Sequence, residues 1–149
     1  MLVELVDAEK SPLSLDFLSR SLEFLKQGLI QKKIIPDSFE KKIIIVFLSQ
    51  DSMRDLNNTF LNKNHVTDVL SFAPMEQNYL GEIALCEDKI KEQSKSHNLT
   101  FEQEAIYLIL HALLHLLGFH HEQGGEEARQ MFKIQDDLFE KWLHQLERK

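Results

Sequence analysis

Between Leu13 and Lys33, Leu15, Leu18, Leu22, Leu25 and Leu29 recur at three- and four-residue steps, the signature of a helix with one apolar face. Leu2 to Val6 instead alternates apolar and polar residues, which predicts a strand. Lys42 to Leu48 is rich in β-branched side chains and reads as a strand buried on both faces. A short helix is expected from Ser52 to about Phe60, with Ser52 as its N-cap. Val69 to Phe72 and Leu80 to Cys86 read as two further strands, and about Asp88 to Ser96 as a polar helix.

Thr100 then opens a helix, with Gln103 three residues on to complete a capping box and Glu102 near the positive end of the dipole. From Ala105 to Leu117 that helix is apolar almost all round, which predicts burial, and Gly118 supplies the stop. A last helix, about Glu126 to Leu146, carries an apolar stripe of Ala128, Met131, Phe132, Leu138, Phe139, Trp142 and Leu146. Helices alternating with a few short strands give an α+β (or α/β-like) class: a sheet of about four strands flanked by helices. At 149 residues without repeat, linker or low-complexity stretch, the expectation is one domain over 1–149.

Composition narrows the setting. The longest uncharged run, Ala105 to Phe119, is too short and holds two histidines, so no membrane span is expected. The first residues carry acids where a secretion signal needs positive charge, and the single cysteine, Cys86, excludes an internal disulfide; both point to the cytoplasm. Residues 1–50 balance seven basic against seven acidic side chains, so the net charge of −7 resides in 51–149. That is not the basic surface of a general nucleic-acid binder, so any RNA contact must be local.

The chemistry concentrates in His111-Ala-Leu-Leu-His115-Leu-Leu-Gly118-Phe-His120-His121. Residues four apart share a helix face, so His111 and His115 project side by side. Gly118 permits the positive φ with which the chain can double back, bringing His121 to the pair. Three imidazoles around one point leave a fourth tetrahedral position open, as in a catalytic zinc centre, and one zinc ion is the expected cofactor. Metzincin proteases share this histidine spacing, with a glutamate after the first histidine as general base. Here that position is Ala112, so a zinc metallopeptidase-like hydrolase is the second reading. A binding module with a structural metal is the third.

Together with Thr67-Asp68-Val69-Leu70-Ser71-Phe72 and Leu80-Gly81-Glu82-Ile83 upstream, the histidine block resembles the YbeY family of bacterial rRNA-maturation endoribonucleases. The resemblance implies a small mixed sheet flanked by helices, with the metal site at the end of a buried central helix. It implies a zinc-like ion on His111, His115 and His121. It also implies cleavage of single-stranded RNA, with ribosomal RNA and ribosome-associated factors as partners and no DNA substrate, and a role in maturation of small-subunit ribosomal RNA and in ribosome quality control.

Three positions depart from the family pattern: His120 stands where aspartate is usual, Ala112 where glycine is usual, and Leu61 where an arginine that assists phosphate binding is usual. Arg54 and Lys63 are the neighbouring cations that could substitute. Glu82, where the family often has aspartate, and His120 are the candidate catalytic residues beside the three ligands. Thr67 and Ser71 are candidate hydrogen-bond donors to RNA, and His65, His97 and His144 read as surface residues.

Overall fold

The structure is a computed structural model that describes residues 1–61, 67–121 and 124–147; Lys63, His65 and the Leu61 side chain lie outside the described residues. Among these residues the chain forms strands β1 (Leu2–Leu5), β2 (Lys42–Leu48), β3 (Val69–Phe72) and β4 (Tyr79–Cys86). The helices are α1 (Leu15–Gln31), α2 (Gln50–Leu61), α3 (Glu87–Ser96), α4 (Phe101–Leu116) and α5 (Gly125–Glu147).

The strand order is β1-β2-β4-β3, with β1, β2 and β4 parallel and β3 antiparallel to β4. The mixed character follows from the connections. The helical crossovers β1–α1–β2 and β2–α2–β3–β4 return the chain parallel, whereas the short loop after β3 allows only an antiparallel neighbour. β3 is consequently an edge strand.

One face of the sheet carries the main core. Ile43, Ile45, Ile83 and Leu85 meet Leu18, Leu22, Leu25 and Leu29 of α1 and the apolar length of α4, with Met131, Leu138 and Trp142 of α5. On the other face α2 covers a smaller cluster of Met53, Ala84 and Cys86. β2 is half-exposed at alternate positions rather than buried throughout, because α2 covers only part of that second face.

Local sequence rules place α4 firmly. Thr100 Oγ1 accepts from the Gln103 backbone N–H at 3.1 Å while Gln103 Oε1 accepts from the Thr100 N–H at 3.0 Å, the expected capping box. At α2 the capping serine is Ser49, whose Oγ accepts from the Ser52 N–H at 3.2 Å; the helix starts two residues earlier than its apolar pattern suggests. The far end of α4 lies close over the sheet because β4 has a glycine there. A Cβ on Gly81 would stand 2.6 Å from the Phe72 carbonyl oxygen and 2.7 Å from Leu116 Cδ2. Gly81→Ala should therefore destabilise the protein by about 1–3 kcal/mol through overpacking. In a thermal melt that is a fall in Tm of roughly 2–10 °C.

Candidate metal centre

His111 and His115 sit one turn apart on α4, with ring centroids 4.6 Å apart. The helix ends at Leu116, and Gly118 takes φ +103°. That conformation, strained for a side chain bearing a Cβ, turns the chain back so that His121 reaches the pair. Its ring lies 5.0 Å from that of His111 and 4.8 Å from that of His115. One ligand nitrogen from each of the three comes within 4.8 Å of the others, the grouping expected from the sequence.

Hydrogen bonds on the far sides of the rings decide which nitrogens face inward. His115 Nδ1 lies 3.0 Å from the Phe119 carbonyl oxygen, which only accepts, so Nδ1 carries the proton and donates. His111 Nδ1 donates to Gln135 Oε1 at 2.9 Å. Both Nε2 atoms are thereby left as lone-pair acceptors, yet they stand 3.1 Å apart. Two such lone pairs repel unless a proton or a metal ion lies between them. Nitrogens tetrahedrally placed at 2.0–2.1 Å around zinc are separated by about 3.3 Å, close to what is seen. His121 Nδ1 adds a buried nitrogen that has no hydrogen-bond partner among the described residues. The donor set, its tautomers and its orphaned nitrogen fit a metal ion.

Gln135 was not visible as a site residue in the sequence. It is fully buried on α5 within the apolar stripe, and its carbonyl fixes the His111 ring. Partners of this kind typically carry 10- to 100-fold in metal affinity. Gln135→Leu should weaken zinc binding by roughly that factor, read by competition with a chromogenic chelator, while Gln135→Glu, which keeps an acceptor, should lose less. Phe132, expected in the core, is instead 38% exposed and covers the histidines, its ring 6.1 Å from His111 and 5.5 Å from His121.

The three histidines open into a cavity of about 650 Å³, whose walls include Thr67, Asp68 and Ser71 on the β3 side and Tyr107, Ala112 and Gln135 on the helices. Burial, and then the neighbouring Asp136, push the Tyr107 hydroxyl above its ordinary pKa, so it remains a donor to Asp136 at neutral pH. A second groove of about 430 Å³ adjoins along β3, sharing Val69, Ser71 and His115. His120 lines this second groove, exposed and with its ring 6.3 Å from His115, outside the three-histidine group.

Glu82 is not brought to the histidines. Side chains alternate along a strand, so Glu82 shares the sheet face of Ala84 and Cys86, away from α4. It is exposed among Ile44, Ala73, Pro74 and Met75. Arg54 is likewise elsewhere, paired with Asp51 at 3.3 Å on α2. No lysine or arginine lines the cavity among the described residues. His97 and His144 are both exposed as expected, and His97 in addition has its Nδ1 2.7 Å from a fully buried carboxylate, Glu104.

The family model for endoribonuclease YbeY matches residues 8–143. The chain belongs to that family. An endoribonuclease YbeY from Bdellovibrio bacteriovorus is 38% identical over 150 residues, covering 100% of both chains. One from Thermotoga maritima is 36% identical over 124 residues, covering 82% of this chain and 81% of its own. Among solved structures, the solution structure of a Thermotoga maritima protein superposes with a TM-score of 0.61 at 29% identity, covering 99% of this chain and 93% of that one. Family membership and this likeness agree with the α+β class and the four-stranded mixed sheet.

Proposed function

We infer that the chain, acting over residues 1–149 as one domain, is a metal-dependent endoribonuclease that cleaves single-stranded RNA. Its role is in maturation of small-subunit ribosomal RNA and in ribosome quality control. Membership of the endoribonuclease YbeY family supports the activity. The observation that carries the site is the pair of inward-facing Nε2 atoms 3.1 Å apart, with both Nδ1 protons already committed.

On this reading His111, His115 and His121 hold one zinc ion. When bound, it supplies a Lewis acid that offsets charge on a phosphoryl oxygen. The protein's own contribution is to shape and orient. Gln135 and the Phe119 carbonyl lock two rings in the ligating tautomer, and Phe132 packs against His111 and His121. Ala112, 2% exposed and on the cavity wall, leaves room beside the ligands and adds no negative charge near an anionic substrate. Ser71, between the two grooves, is the candidate donor to a strand lying along β3, whereas the Thr67 hydroxyl donates to Asp68 Oδ1 at 3.4 Å. Of the two candidate catalytic carboxylate and imidazole groups, His120 is the one that borders the groove system; Glu82 lies on the opposite face of the sheet.

Among the described residues no helix is long and apolar enough to cross a membrane. Cytoplasmic location, ribosome-associated partners and the exclusion of DNA belong to the same proposal. The test compares cleavage of a fluorescent single-stranded RNA, the matching DNA and casein by zinc-loaded protein, each with and without chelator. Chelator-sensitive cleavage of RNA alone is expected. Casein hydrolysis without RNA cleavage would overturn the reading.

A further inference from the structure

We propose that His97, held by Glu104, is a second contact point for the substrate, donating its outer ring N–H to the backbone phosphate of a nucleotide flanking the scissile bond. The proposal rests on the endoribonuclease reading and extends it to another corner of the same cavity. Glu104 precedes His111 by seven residues of α4, two turns or about 10 Å along the axis at 1.5 Å per residue, which returns it to the cavity side that His111 occupies.

Both residues of the pair line the cavity, at the corner where α3 gives way to α4. His97 is the C-cap of α3, its backbone N–H bonded to the Gln93 carbonyl at 2.9 Å, and Asn98 turns the chain with φ +57°. Glu104 is fully buried, with Oε1 2.7 Å from His97 Nδ1 and Oε2 buried without a hydrogen-bond partner among the described residues. The His97 side chain is 54% exposed.

A buried carboxylate is not left as an uncompensated charge. A neutral ring donating from Nδ1 would leave Nε2 an acceptor facing the phosphate; an imidazolium against the carboxylate cancels the buried charge and donates from Nε2, and an anionic phosphate at that edge favours it. With that phosphate bound the pair is an N–H donor without net negative charge, at the rim of a cavity whose described lining residues include no lysine or arginine and do include Asp68. A single donor suits a phosphate oxygen; reading a base edge takes a donor and an acceptor together.

The test reads affinity by fluorescence anisotropy, using zinc-loaded protein and single-stranded RNA in which each phosphate near the cut is replaced in turn by an uncharged methylphosphonate. The variant is His97→Leu/Glu104→Met, which removes the buried carboxylate together with its partner and so leaves no unpaired buried charge. Wild type should lose roughly 10-fold at one flanking position, the variant should lose about the same on unmodified RNA, and the two losses should not multiply. His97→Gln, which keeps a donor, should bind within about threefold of wild type; metal content should be unchanged in both variants, and Tm in the double variant, from which the buried carboxylate is also removed.

Penalties that multiply at every position would overturn the phosphate contact. Cleavage measured in the same samples reports separately on the endoribonuclease reading: an enzyme that cuts RNA but shows multiplicative penalties sinks the subsite alone. A wild-type protein that binds no RNA sinks both.

Discussion

His115→Ala should reduce the metal content of the purified protein from about one ion per chain to under a tenth, and RNA cleavage should fall with it by at least 100-fold. His115 is central to the group: its Nε2 faces that of His111 at 3.1 Å, its ring neighbours that of His121, and its Nδ1 proton is fixed on the Phe119 carbonyl. Removing it leaves two donors where a zinc centre takes at least three from the protein, a larger loss than the 10- to 100-fold expected for a supporting partner such as Gln135. A readout independent of activity comes from stability. Zinc at about 100 times its Kd should stabilise the wild type by about 2.7 kcal/mol. That corresponds to a rise in Tm of roughly 5–10 °C. The variant should show no such rise at the same concentration. Equal metal content and equal thermal response in both proteins would remove the site.

The parts of this molecule that depend on neighbours in the chain are the ones its sequence displays. The capping box at Thr100 and Gln103, the one-turn spacing of His111 and His115, and the turn at Gly118 are each set within a few residues, and all three are found in the structure. Partners that meet across the fold leave a weaker trace. Gln135 lies 24 residues from His111 and interrupts an apolar stripe, so in the sequence it is merely a polar gap. Glu104 looks like a first-turn acid serving the helix dipole, and only the packing of α3 against α4 shows that it is fully buried beneath His97. Glu82 fails for the converse reason. Its place in a strand is clear from the sequence, but which sheet face an even-numbered position takes is decided by where α2 and α4 settle.

The second large effect is expected at Ala112, which separates a nuclease from a protease with the same three ligands. Ala112 follows His111, is 2% exposed and lies on the cavity wall, so a longer side chain has the cavity as its only outlet. A glutamate there would place a carboxylate beside the ligands, where a metzincin protease keeps its general base. For a phosphodiester substrate the same carboxylate repels the anion, in a cavity that already holds Asp68 and whose described lining includes no lysine or arginine to offset it. Ala112→Glu should lower kcat/KM on RNA by roughly 10- to 100-fold, about 1.4–2.7 kcal/mol, and create no casein hydrolysis. Ala112→Gln isolates the volume: it fills the same space without charge, so it should lose clearly less than the glutamate variant at equal metal occupancy. Equal losses in the two would assign the effect to crowding instead of charge. Unchanged RNA cleavage with newly acquired peptidase activity in Ala112→Glu would mean that the cavity is shaped for a peptide, and would overturn the nuclease reading while leaving the three-histidine centre in place.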